Sequence, residues 1–209
     1  MNKAFLPDIL QTKYSELKPT IENRLREFSE VPEADYFYEL CFCLCTPQSK
    51  ARHAFEVQQI LQTQDFLNNP FDPTPILRDP KHYIRFHNQK AKRLLEARDK
   101  YQDILQIIKS DIDPSVKRNT IYKNVNGFGM KESAHFLRNI GFRNMAILDR
   151  HILKHLVLCN VFAEIPKISS QKQYLEVENK FVQFSETVEI HIDELDLLFW
   201  SYEAGEILK

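Results

Sequence analysis

Lys131 is the side chain whose setting in the sequence is most suited to nucleophilic chemistry. It follows Gly127 and Gly129 in IYKNVNGFGMKESAHFLRNIG, residues 121–141, where one helix is expected to end near Asn124 and a second to begin near Lys131. Two glycines one residue apart let a backbone approach a ligand closely and adopt positive φ. N–H groups left free at a helix N-terminus form an anion site suited to a phosphate. The same turn also serves simply to join two packed helices, and G-x-G alone leaves both readings open. A lysine in the first helical turn lies at the positive end of the dipole, which disfavours a protonated amine. A neutral amine is a nucleophile.

Eighteen residues on, NMAILDRHILKHL places Asp149 just before an apolar helix, at an expected N-cap. A capping carboxylate is held rigidly by backbone N–H groups, which keeps it ionised and oriented. Plain capping explains the residue, catalysis explains it too, and the two are compatible. His135 falls one turn after Lys131 and reads as a satisfied helix histidine rather than an acid–base partner.

These residues need a scaffold, and the periodicity predicts an all-α one. Pro19 is expected near the start of a helix over 19–29, and Asp35 to cap a buried helix in DYFYELCFCLC that stops at Thr46-Pro47. A helix from Ser49 should lead into a proline-rich loop, NNPFDPTPILRDP. Asn88 is then expected to cap one helix, QKAKRLLEARDKYQDILQIIK, with Leu94, Leu95, Ile104, Leu105 and Ile108 inward and basic residues outward. Further helices are expected from about 113, 131 and 150, after Ser170 and after Asp193, with Gly141 and Gly205 as stops. The layout expected is two helical lobes with a cleft, their boundary not legible.

The chain has 209 residues, 43% of them hydrophobic, and a formal net charge of -1. That balance hides a segregation: residues 78–143 carry 15 Lys+Arg against 7 Asp+Glu, while the flanks carry 7 against 11 and 6 against 11. A basic segment of this kind either contacts phosphates or forms a solvated helix face. The N-terminal residues lack a secretory pattern and no apolar run is long enough to span a membrane, so a cytoplasmic protein is expected. Cys41, Cys43, Cys45 and Cys159 have neither zinc nor iron–sulfur spacing and read as core residues in a reducing compartment. A monomer with no metal and no cofactor is expected.

The hairpin, Lys131 and Asp149 match in type, order and spacing the helix-hairpin-helix DNA glycosylases. Within them the chain resembles the compact archaeal-type 8-oxoguanine DNA glycosylase/AP lyases, and the resemblance spans nearly its whole length. It is carried by ELCFCLCTPQS at 39–49, IRFHNQKAKRL at 84–94, the hairpin with KESAHFLRNIG, and the tail ending in Lys209. The lack of a C-terminal cysteine cluster separates it from the iron–sulfur branch. The resemblance implies a helix-hairpin-helix glycosylase fold over 1–209 and a partner, double-stranded DNA containing 8-oxoguanine.

The resemblance also implies roles. Lys131 attacks C1′ of a flipped nucleotide, Asp149 favours the neutral amine and stabilises charge on the sugar, and the Schiff base breaks the strand by β-elimination. Gly127 and Gly129 bind phosphate, Phe86 and Trp200 clamp the base, and Lys209 reads its edge through a terminal carboxylate. Gln48 fills the gap left by the flipped nucleotide; Arg85 and Asn88 meet the opposite base or a nearby phosphate; Arg138 and Arg143 extend the basic face. Core packing is the competing explanation for Phe86 and Trp200, a surface position for Arg85, helix capping for Asn88 and a frayed end for Lys209. Two rival functions stay open: a monofunctional glycosylase in which Asp149 activates water, and a non-catalytic hairpin module.

Overall fold

The structure, a computed structural model, describes residues 3–205 and 207, and among them no strand occurs. The described residues form eleven α-helices: α1 Asp8–Ser29, α2 Tyr36–Cys45, α3 Ala51–Thr63, α4 Thr74–Arg78, α5 His87–Asp99, α6 Tyr101–Lys109, α7 Pro114–Asn124, α8 Met130–Asn139, α9 Arg150–Leu158, α10 Gln171–Val188 and α11 Ile192–Ala204. The expected all-α class is observed. By contact density the chain forms two compact units, one of residues 31–140 and one joining residues 1–30 to 141–209.

The central unit is built around α2. Every residue of that helix after Tyr36 is buried, from Phe37 to Cys45. A helix apolar all round must be enclosed, and α3, α5 and α8 pack on it. The three cysteines are core atoms, and burial pushes the Cys45 thiol up to about 12 and the Cys41 thiol well up. Glu39, buried among them, accepts from Gln58 Nε2 at 2.7 Å and from Asn139 Nδ2 at 3.1 Å, which fastens α2 to α3 and α8.

In the other unit α1 packs along α11, which also meets α9 and α10. Leu10, Ile21, Leu25 and Phe28 form the buried stripe of α1, and the Tyr14 hydroxyl donates to Glu194 on α11.

Several expectations are corrected. Pro19 lies inside α1 rather than near its start, since the apolar stripe begins at Leu10 and its burial outweighs the hydrogen bond proline cannot make. Asp35 occupies the N-cap position of α2, but its carboxylate accepts from Gln62 Nε2 instead of a helix amide. The proline-rich loop contains α4, whose first turn Pro75 suits because its missing N–H is not needed there. The long basic helix is two, broken at Lys100. Asn88 is not a cap: α5 starts at His87, after Phe86 in the left-handed region. Gly141 and Gly205 do stop their helices, at φ of +94° and +80°.

Candidate active site and nucleic-acid interface

Helices α7 and α8 form the hairpin. Ile121 and Val125 are buried at the end of α7, Phe128 is buried in the turn, and α8 is buried from Ser133 to Asn139. The apolar residues therefore anchor the turn from below and leave its glycine backbone outward. Gly127 has φ +94°, and a Cβ there would lie 2.5 Å from Arg93 Cδ of α5. Gly129 differs from expectation, with φ −101° and ψ −175°, an extended backbone open to any residue. What a side chain would disturb at Gly129 is Glu132, whose Oε2 would be 2.9 Å from the added Cβ.

Lys131 sits in the first turn of α8, partly exposed, with its Nζ 2.9 Å from Glu132 Oε1. The other oxygen of that carboxylate accepts the Gly129 N–H at 3.0 Å. This is the reverse half of a capping box: the N3 side chain reaches back to the N-cap amide, here with a glycine that has no side chain to reciprocate. Glu132 thus joins the glycine turn to the amine, and glutamate three residues after an N-cap is the capping signal in the sequence from which this link could be found.

Asp149 caps α9. Its Oδ1 accepts from His151 N at 2.8 Å and Ile152 N at 2.9 Å, so the expected N-cap is observed. The strand of chain before it is fastened at several points. Asn144, at φ +66°, donates its amide to Asp193, and His191 Nε2 lies 2.8 Å from Asn144 Oδ1. Ala146 N donates to the buried Glu178 at 2.9 Å, and the Tyr174 hydroxyl donates to Ala146 O at 2.6 Å. Glu178 and Tyr174 of α10 thus fasten the chain just before Asp149, a connection that local sequence around Asp149 could not reveal. Glu203 of α11 holds α9 from its far side, 2.7 Å from Lys154 Nζ and 3.6 Å from His151 Nδ1.

In the central unit, Gln48, Arg85, Phe86 and Asn88 are all exposed. Gln48 and Phe86 both adopt the left-handed region, at φ of +57° and +60°. Phe86 is 48% exposed, which rules out core packing, and the Arg85 guanidinium lies 5.0 Å from its ring centroid. The Arg85 N–H donates to Ser49 Oγ at 3.0 Å, joining the 84–86 turn to the corner after α2. A recess of about 450 Å³ lined by Asn88, Gln89, Lys92, Arg93, Glu96 and Asn126 lies between the first turns of α5 and the hairpin turn.

Lys90 breaks the expectation that basic residues of α5 face outward. It is 2% exposed, and its Nζ donates to Cys45 O at 2.7 Å, Pro47 O at 2.6 Å and Ser49 Oγ at 3.2 Å. Burial pulls its pKa down to about 8. Arg138 is also buried, its Nε 3.2 Å from Asn139 Oδ1, and the Arg143 guanidinium donates to Leu25 O. Arg138 is committed to the interior of its unit, which corrects its placement on an outer basic face, whereas Arg143 is half-buried. His135 is buried edge-on against Phe42, as expected of a core helix histidine. Trp200 is half-buried on α11, and Lys209 lies outside the described residues.

An all-α chain that carries a lysine on the second helix of a G-x-G hairpin has the architecture of a helix-hairpin-helix DNA glycosylase. The chain belongs to the 8-oxoguanine DNA glycosylase family, whose sequence model matches residues 21–190. It is 42% identical to the 8-oxoguanine DNA glycosylase/AP lyase of Fusobacterium nucleatum over 206 residues, covering 94% of each chain. The crystal structure of the Methanocaldococcus jannaschii 8-oxoguanine glycosylase/lyase in complex with a 15mer DNA containing 8-oxoguanine is similar, with a TM-score of 0.84 and 34% identity. The match covers 96% of this chain and 100% of that one. The 8-oxoguanine DNA glycosylase of Thermotoga maritima gives a TM-score of 0.85 at 31% identity, covering 96% of both chains.

Proposed function

We propose that this protein is a bifunctional base-excision repair enzyme that removes 8-oxoguanine from double-stranded DNA and then cleaves the strand 3′ to the abasic site. The observation that carries this reading is Lys131 in the first turn of α8, directly after the Gly127-x-Gly129 turn, in a chain of the 8-oxoguanine DNA glycosylase family. The likeness to a relative solved with lesion-containing DNA supports the choice of partner.

In this reading the hairpin amides hold a backbone phosphate and the damaged nucleotide is flipped out of the duplex. The neutral Lys131 amine attacks C1′, the N-glycosidic bond breaks, and 8-oxoguanine leaves with the bonding pair. Ring opening gives the protonated imine. Loss of a C2′ proton then expels the 3′ phosphate, which is the β-elimination. Asp149, fixed by two amides, stabilises the positive charge that develops on the sugar and on the amine.

Phe86 and Trp200 supply aromatic faces for the extruded base. Gln48 enters the gap, and Arg85 and Asn88 meet the opposite base or its phosphate. The protein acts as a monomer in the cytoplasm, on the nucleoid. The test is borohydride trapping on a duplex with one 8-oxoguanine, beside Lys131→Gln and an undamaged duplex. A covalent adduct requiring both the lesion and Lys131 is expected. Free base released without an adduct would instead mean that Asp149 activates water. If neither product appeared, the assignment of substrate or of catalysis would be wrong, and retained binding with no base release on any lesion would favour a binding module.

A further inference from the structure

We propose that Lys90 is the positioning residue that holds Gln48 and the Arg85–Phe86 turn together as one DNA-reading surface, acting from beneath it and never touching DNA. The inference rests on the proposed function, since it takes Gln48, Arg85 and Phe86 as DNA contacts.

Lysine is almost never fully buried without a partner, and Lys90 is 2% exposed. Its hydrogen-bond acceptors are two backbone carbonyls and a hydroxyl. Neutral acceptors do not repay the desolvation of an ammonium as a carboxylate would, and an apolar side chain would fill the same space at less cost. The geometry shows what the charge is used for. Cys45 ends α2, so its carbonyl belongs to the negative end of that helix, where a cation is favoured. Pro47 precedes Gln48, so the second bond fixes the peptide that leads into the left-handed Gln48. The third partner, Ser49 Oγ, also accepts the Arg85 N–H and so reaches the turn where Phe86 is left-handed.

A non-glycine residue at positive φ is strained and persists only where its surroundings hold it. Here two such residues, Gln48 and Phe86, flank one buried amine and its acceptors. Exposed side chains on loops gain precision only from packed and hydrogen-bonded groups behind them. Lys90 and Ser49 are those groups.

The test measures equilibrium binding of a duplex carrying 8-oxoguanine by fluorescence anisotropy, and the plateau rate of single-turnover trapping, for wild type, Lys90→Met, Ser49→Ala and Ser49→Thr. Lys90→Met and Ser49→Ala should each weaken lesion binding by about tenfold, and Ser49→Ala, which keeps the Lys90 charge, should keep a plateau rate within about threefold of wild type. Ser49→Thr, which keeps the oxygen, should restore binding. Variants that melt earlier yet bind the duplex as wild type does below their melting point would reduce Lys90 to a core residue and overturn the proposal. Should Lys90→Met not fold, the Ser49→Ala and Ser49→Thr pair decides alone. A wild type that binds the lesion but forms no adduct would sink the lyase reading, while the binding series still judges Lys90.

Discussion

Glu132 holds the Lys131 amine and the Gly129 amide with its two carboxylate oxygens, at 2.9 and 3.0 Å. One negative group therefore occupies the turn proposed to receive a phosphate and pairs with the amine proposed to attack the sugar. Replacing it separates the two contributions. Glu132→Gln keeps an acceptor for Gly129 and should leave stability within about 0.5 kcal/mol, whereas Glu132→Ala should cost about 1 kcal/mol, the usual value of a cap. Glu132→Gln also removes a negative charge beside the phosphate site. Its DNA affinity should exceed wild type by a few fold at low salt and converge with it in high salt, as ionic screening requires. Thermal denaturation and a salt titration of DNA binding check both parts.

Asp149 offers a similar separation. Asparagine is as good an N-cap as aspartate, so Asp149→Asn should keep α9 and most of the stability, while Asp149→Ala should lose about 1 kcal/mol. Excision should fall by at least about a hundredfold in both, because neither retains the charge that stabilises the sugar cation. Single-turnover base release measured beside thermal melting distinguishes a cap from a catalytic group. Equal activity of wild type and Asp149→Asn would leave the residue as a cap alone.

The hairpin turn is tested at Gly127, where an added Cβ meets both positive φ and the Arg93 side chain at 2.5 Å. Gly127→Ala should cost about 1–2 kcal/mol and weaken DNA binding. Arg93→Ala in the same chain removes the clash but not the φ penalty, so the double variant should recover part of the stability and not all of it. A double-mutant cycle by urea denaturation measures the recovered part.

Stability should also depend on pH through Lys90. Its pKa is pulled from the ordinary 10.5 down to about 8 by burial, with Arg93 and Lys131 lowering it further and Cys45 and Glu132 opposing them. Between those two values Lys90 binds more protons in the unfolded chain than in the folded one, so its contribution to unfolding free energy rises with pH there, by up to about 3 kcal/mol in all. Tyr101, raised to about 12 by burial, acts in the opposite sense, but only above about pH 10 where the unfolded phenol ionises. The thiols of Cys41, Cys45 and Cys159, raised by burial, oppose Lys90 inside the same range because the unfolded thiols ionise near pH 9, so urea denaturation between pH 7.5 and 9.5 should show stability falling with pH in Lys90→Met and falling less, by about 2 kcal/mol, in wild type.

Local signals in the sequence identified the elements that carry the proposed chemistry. The Gly127–Lys131 turn, the Asp149 cap and the helix of alternating cysteines were legible because each depends on neighbours a few residues away: positive φ, a capping carboxylate, an apolar run too dense to be exposed. Boundaries failed where a long-range term outweighed the local one. Pro19 is tolerated inside α1 because the Leu10, Ile21, Leu25 and Phe28 stripe is buried along its length. Asn88 lost its capping role because the turn before α5 places Phe86, not Asn88, at the start of the helix.

By itself, then, the sequence determined the helical class, the hairpin, and the residue types available to do chemistry, since these follow from periodicity and from the conformational freedom of glycine. Only the tertiary structure decided which charges are spent inside. Lys90 and Arg138 read as surface cations in the sequence and are buried, while Phe86 reads equally well as core and is exposed. The support of Asp149 by Glu178 and Tyr174, and of Gln48 by Lys90, joins residues about 30 to 45 positions apart. Such pairings are set by packing, in which an amine, a carboxylate or a hydroxyl is placed wherever the buried backbone needs a partner.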